Sequence, residues 1–273
     1  MQLWLEKHGL FALGVAGAAF ALSLALTLVV MKVTRARGMV ARPSADRWHS
    51  EPTALFGGVG IFLTAAICSA LFLPLGKHFW SLGIAVLFIF LVGLVDDLKA
   101  LPPAHKFIAQ LVAACYFVAQ FYATVGLPTY VWLVPFAILW IVGITNAFNL
   151  LDNMDGLSSG VAVIVSGLMA LHAISLGNTN IAIGALILAG AAGGFLVFNF
   201  NPARIFMGDC GSMFLGFSLA CLTLMGQSEL LASNLFTALL LPTLALATTI
   251  VVTALVSIVR FLHGRPISRG GRD

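Results

Sequence analysis

Five aspartates, Asp96, Asp97, Asp152, Asp155 and Asp209, sit directly against long uncharged apolar stretches, in a chain with ten acidic residues in all. Carboxylates beside hydrocarbon are expensive, so each marks a functional position by default. Asp96 and Asp97 are adjacent, with Lys99 and Lys106 close behind, which combines acceptors for a hard cation with positive charge for phosphate oxygens. Two neighbouring carboxylates at a membrane boundary repel each other and are partly desolvated; a shared metal or a proton-carrying role relieves both penalties. Asn146, Asn149, Asp152 and Asp155 recur every three residues, which on a helix makes a slowly drifting polar stripe able to line a cleft. Asp152-Asn153-Met154-Asp155-Gly156 lacks the alternating ligands and distal glutamate of a calcium loop, so that chemistry is set aside. Gly208-Asp209-Cys210-Gly211-Ser212 opens an apolar run, so its backbone amides can face an anion at a helix start while Asp209 holds a cation. Gly57-Gly58-Val59-Gly60 lacks the third glycine of a nucleotide loop and reads better as close helix packing. His263, Arg265, Arg269 and Arg272 form a basic tail that can clamp phosphate or simply meet anionic lipid.

The elements that must position these groups are membrane spans. The chain is 60% hydrophobic and 9% charged, with a mean hydropathy of +1.05, far from the balance of a soluble domain. Uncharged runs match or exceed the roughly 20 residues of a helical span. Splitting them at Gly, Pro and polar punctuation predicts an all-α, polytopic transmembrane bundle of nine spans, near 10–31, 54–75, 79–95, 107–125, 130–146, 157–176, 180–199, 211–227 and 235–259. The first is read as a retained helix, not a signal peptide. One domain is expected over 1–273. With the 32–51 loop in the cytoplasm, twelve Lys and Arg fall on that side against Lys7 and Lys77 outside, which predicts an outside amino terminus and a cytoplasmic carboxyl terminus. The alternation then delivers every acid-rich segment, and the 52–58 stretch, to one cytoplasmic cleft. A transporter would more naturally carry its ionisable groups at mid-membrane, on broken helices. No cysteine pair has the spacing of a zinc site or disulfide framework, and no nucleic-acid motif accompanies the net charge of +4.

Taken together, five motifs resemble the polyprenyl-phosphate N-acetylhexosamine-1-phosphate transferases. They are Pro52-Thr53 with Gly57-Gly58; Asp96-Asp97; Asn149-Leu150-Leu151-Asp152-Asn153-Met154-Asp155-Gly156-Leu157; the run from Asn199 to Asp209; and His263-Gly264-Arg265-Pro266-Ile267-Ser268. The resemblance is nearer to bacterial undecaprenyl-phosphate GlcNAc-1-phosphate transferases than to phospho-MurNAc-pentapeptide translocase. It implies transfer of a sugar 1-phosphate from a UDP-N-acetylhexosamine to a polyprenyl phosphate, with release of UMP, at the bacterial inner membrane. It also implies magnesium, with manganese as a substitute. By match to the motifs, Asn149 and Asp209 would bind the metal and nucleotide diphosphate, and Lys106 would hold a phosphate. Asp96 or Asp97 would prepare the lipid phosphate. Asn146, Asp152, Asp155, His263 and Arg265 would serve the substrates. The partners expected are the lipid, the UDP-sugar, the bilayer and a second copy in a homodimer, without nucleic acid. In this family the segment after His263 continues into a histidine-containing stretch and further spans, so the chain is expected to be truncated at its carboxyl terminus. Cys210 stands where threonine is common. The alternatives are a phospho-MurNAc-pentapeptide transferase, or a transporter or flippase whose aspartates carry protons or cations.

Overall fold

With no water in hydrocarbon to satisfy backbone N–H and C=O groups, a chain this apolar must bond them within helices. The computed structural model describes residues 2–41, 52–74, 76–125 and 133–226. They form eight helices: α1 (Gln2–Ala36), α2 (Gly57–Phe72), α3 (Lys77–Lys99), α4 (Pro103–Val125), α5 (Leu133–Leu151), α6 (Leu157–Ser175), α7 (Thr179–Asn199) and α8 (Asp209–Gly226). Two short strands, β1 (Val40–Ala41) and β2 (Thr53–Ala54), pair antiparallel between α1 and α2. The protein is an all-α, multi-pass membrane bundle, with seven helices among the described residues long and apolar enough to cross. The expected ninth span at 235–259 lies outside the described residues.

The expected span at 54–75 is shorter in the structure, because β2 and the left-handed Phe56 precede the helix and delay its start to Gly57. At 16 residues α2 is about 24 Å long, below the roughly 30 Å of a bilayer core. Six of the remaining spans agree with the expected ones to within five residues, whereas α1 begins eight residues before the expected 10–31 span and ends five after it.

α8 is the hub. It packs against α2, α3, α5, α6 and α7, and 83% of its span is buried, against 22% of the α1 span. Trp80, Ile84, Leu87, Leu91 and Leu98 line one exposed face of α3, the stripe that a hydrocarbon environment requires. Contact between α1 and α7 depends on small residues: a Cβ on Gly190 would lie 2.6 Å from the Ala16 carbonyl oxygen. Ser23 donates to the Ala191 carbonyl at 2.5 Å along the same seam. Close backbone approach of this kind holds spans together where lipid supplies no hydrophobic driving force.

Candidate active site at one end of the bundle

The carboxyl ends of α1, α3, α5 and α7 and the amino ends of α2, α4, α6 and α8 meet at one end of the bundle. Backbone bonds knit this end together. Phe206 donates to Ala54 at 2.8 Å, and Gly57 and Gly58 donate to Phe206 and Met207 at 2.9 and 2.8 Å. Ala54 and Ile205 form a parallel bridge, so the stretch before α2 lies along the α7–α8 connection. Arg35, at the end of α1, reaches the Arg204 carbonyl at 3.2 Å. Gly58 permits the approach: a Cβ there would collide with the backbone of Gly211 and lie 2.8 Å from the Cys210 sulfur. The glycines of the 57–60 run therefore pack helices, as their spacing suggested.

Three of the expected site residues form one charged cluster. Lys106 Nζ lies 2.8 Å from Asp209 Oδ2 and 3.2 Å from Asp96 Oδ2, with all three side chains only partly exposed. The other Asp96 oxygen accepts the Leu101 N–H at 2.6 Å, which fixes it to the α3–α4 turn. Asp97 turns instead to α8, where Oδ1 accepts the Asp209 N–H at 2.7 Å and Oδ2 the Cys210 N–H at 3.1 Å. Asn149 donates to Ser212 at 3.0 Å and lies within hydrogen-bonding reach of the Asp209 carboxylate.

The polar stripe on α5 ends with the helix at Leu151, and Asp152 to Gly156 make the turn into α6. Desolvation and the nearby carboxylates of Asp209 and Asp97 push the Asp152 carboxyl well above the usual range, offset in part by the Gly208 N–H. Asp155 faces the 201–203 turn and accepts the Ala203 N–H at 3.0 Å and the Asn201 amide at 3.4 Å. Asn146 donates to Gln110 at 2.5 Å and to the Val142 carbonyl at 2.8 Å, which ties α5 to α4. His263 and Arg265 lie outside the described residues.

The glycosyl transferase family 4 model matches residues 79–227, more than half of the chain, taking in all but the first two residues of α3 and the whole of α4 to α8. The chain belongs to glycosyl transferase family 4. A Bacillus subtilis protein named "Probable undecaprenyl-phosphate N-acetylglucosaminyl 1-phosphate transferase" is 33% identical over 257 residues, covering 90% of this chain and 70% of that protein. Phospho-N-acetylmuramoyl-pentapeptide-transferases of Lacticaseibacillus paracasei and Limosilactobacillus fermentum are each 34% identical. They cover 70% and 77% of this chain, and 68% and 73% of their own lengths.

Within this family 4 chain, several residues that shape the site carry no charge to advertise them. Asn199, buried at 3% exposure, accepts from the Gly156 N–H at 3.1 Å and Ser159 at 2.9 Å, and donates to the Ile205 carbonyl at 3.0 Å. Its signal in sequence is an amide closing an apolar run just before Pro202. Removing it in Asn199→Ala strands buried donors and an acceptor, so thermal melting in detergent should show a loss of about 2–3 kcal/mol. Wild-type melting would mean that water replaces all three bonds. Ser212 and Gln110 give weaker signals, since each polar group finds its partner on another helix.

Among the described residues, no group of three or more His, Cys, Asp or Glu side chains is arranged to hold a metal unaided. The donors present do fit a cation shared with a substrate. Asp209, Asp96 and Asn149 offer hard oxygens, and magnesium commonly takes one or two carboxylates plus substrate phosphates. The Lys106 ammonium between two carboxylates marks where positive charge is already stabilised.

Proposed function

We propose that this chain transfers an N-acetylhexosamine 1-phosphate, with N-acetylglucosamine the leading sugar, from its UDP derivative to a polyprenyl phosphate such as undecaprenyl phosphate, releasing UMP. The product would be the first lipid-linked intermediate of a cell-envelope glycan. The observation that carries this reading is the Asp96–Lys106–Asp209 cluster at a helix end, where a lipid phosphate and a water-soluble diphosphate can meet. The basic residues Lys32, Arg35, Arg37, Lys99 and Arg204 near this end, against Lys77 at the start of α3, support placing the site on the cytoplasmic face.

In the reaction, an oxygen of the polyprenyl phosphate forms a bond to the sugar-bearing phosphorus as the bond from that phosphorus to the UMP oxygen breaks. Little of this needs covalent help from the protein; positioning and charge neutralisation dominate. One of the two neighbouring carboxylates, Asp96 or Asp97, prepares the lipid phosphate by taking its proton and freeing the attacking oxygen. Lys106 has three N–H donors and spends two on Asp209 and Asp96, leaving the third for a phosphate oxygen. Asp209 and Asn149 would hold magnesium, which would supply the charge neutralisation of the diphosphate. Asp152 and Asp155 lie toward the sugar-nucleotide side, and Asn146 steadies the cleft wall through Gln110.

The test is UMP release by purified protein given UDP-GlcNAc, undecaprenyl phosphate and magnesium, with EDTA and lipid omission as controls. Release that depends on both metal and lipid supports the transferase; substrate flux without UMP would support a transporter instead. The paracasei and fermentum relatives favour a second reading, a phospho-MurNAc-pentapeptide transferase, and UDP-MurNAc-pentapeptide as donor separates the two. Lys106→Gln should lower kcat/KM on the order of a hundredfold, the usual effect of removing one donor aimed at developing charge. An unchanged value would remove Lys106 from the phosphate site.

A further inference from the structure

We propose that Asp97 is a positioning residue, one that caps the amino terminus of α8 and so aims Asp209. The effect on rate rests on the transferase reading above, whereas the capping rests only on how α3 meets α8.

The first N–H groups of an α-helix have no partner inside the helix, and the side chain just ahead of it commonly supplies one. Here that position is Gly208, which has no side chain and a φ of 77°. The acceptor comes from 112 residues away: Asp97 takes the N–H groups of both Asp209 and Cys210, one on each oxygen. Its charge also suits the positive end of the helix dipole. A Cβ on Gly208 would lie 2.7 and 2.8 Å from the two Asp97 oxygens, so glycine leaves vacant the space through which Asp97 enters.

Gly93 stands one turn earlier on the same face of α3. A Cβ there would lie 2.6 Å from the Cys210 Cα and 2.7 Å from the Asp209 carbonyl oxygen. The Gly93–Asp97 edge of α3 therefore presses on the first turn of α8 and sets where the Asp209 side chain leaves the helix. Asp96, about 100° further round α3, points elsewhere. It is held by Leu101 and Lys106, and its carboxyl group lies within hydrogen-bonding reach of Asp209. Both Asp97 oxygens are engaged by α8, whereas Asp96 faces the Lys106 and Asp209 cluster. Neighbours in sequence thus do separate work.

The proposal is tested on the full chain in detergent, with Asp97→Asn, Asp97→Ala and Asp96→Asn compared by hydrogen exchange over 207–212 and by UMP release. Asp97→Ala should raise exchange in that peptide about tenfold or more, and Asp97→Asn by less, because its amide oxygen still accepts one N–H. Asp96→Asn should leave exchange at the wild-type level. Asp97→Asn should lose about tenfold to a hundredfold in kcat, the scale of a small misplacement. It should keep the wild-type shape of the pH profile and a near-normal KM for UDP-GlcNAc. Asp96→Asn should lose more, roughly a hundredfold to ten-thousandfold, with exchange unchanged. Unchanged exchange in Asp97→Ala would overturn the capping. Loss of the acidic limb in Asp97→Asn would restore Asp97 to the chemistry. If even the wild type releases no UMP, the transferase reading fails while the exchange result still decides the cap.

Discussion

Replacing Asp209 with asparagine should lower UMP release by roughly a thousandfold or more, the upper range for losing one charge aimed at a reacting centre, while the amount of protein in the membrane stays unchanged. The substitution is close to isosteric and leaves the backbone N–H of residue 209 on Asp97, so α8 should still begin where it does. What goes is the carboxylate 2.8 Å from Lys106, and with it the best oxygen for a divalent cation. Lys106 would then keep Asp96 alone, and the diphosphate would meet a site with less to hold it. Two measurements separate the causes: UMP release for chemistry, and manganese binding followed by electron paramagnetic resonance for the cation. Near-wild-type turnover would remove Asp209 from both roles.

Gly58→Val should sharply reduce the yield of folded protein and lower its melting temperature in detergent. The glycine N–H is bonded to Met207 at 2.8 Å, and its open side faces the backbone of Gly211. Backbone atoms of a buried helix start cannot rotate aside as a flexible side chain can, so α2 and α8 must separate. Overpacking of a dense core costs about 1–3 kcal/mol, and occasionally more. Here the upper end is expected, because the displaced α8 turn also carries Asp209. Gly143→Ala is the control. Nothing lies within 4 Å of a Cβ at that position, and alanine in a helix interior is favoured over glycine by about 0.5–1 kcal/mol. Equal melting temperatures for the Gly58→Val and wild-type proteins would show that α2 and α8 are more loosely apposed than the structure implies.

Most of the bundle was legible in sequence because its cause is local: a span is an uninterrupted apolar run, and nothing distant is needed to recognise one. The polar motifs were legible for the complementary reason, as charged groups embedded in such runs. The late start of α2 was not. It depends on the pairing of β2 with residues near Ile205, a partner about 150 positions away that no property of Thr53-Ala54 announces. The three-residue recurrence from Asn146 to Asp155 suits a single helix, yet α5 stops at Leu151, and Gly156, at a φ of 72°, enters α6 in a left-handed conformation. The division between Asp96 and Asp97 was equally hidden, since two adjacent identical residues differ only in which neighbouring helix each one faces. Asn199 was visible as part of a motif, but its part in joining Gly156 to Ile205 requires α6 and the α7–α8 connection to be seen together.

The pairing of the 53–58 stretch with residues 204–207 also bears on biosynthesis. Spans are made in order, so α1 and α2 exist long before α7 and α8, and Ala54, Gly57 and Gly58 wait with backbone groups whose partners have not yet been translated. Lys106 likewise precedes Asp209 by 103 positions, a wait of about 5–20 seconds at roughly 5–20 residues per second. The nascent protein therefore passes through a stage in which its membrane half is built but its polar end is unlocked. The arrival of the 204–209 stretch and α8 supplies the partners that this end has been waiting for.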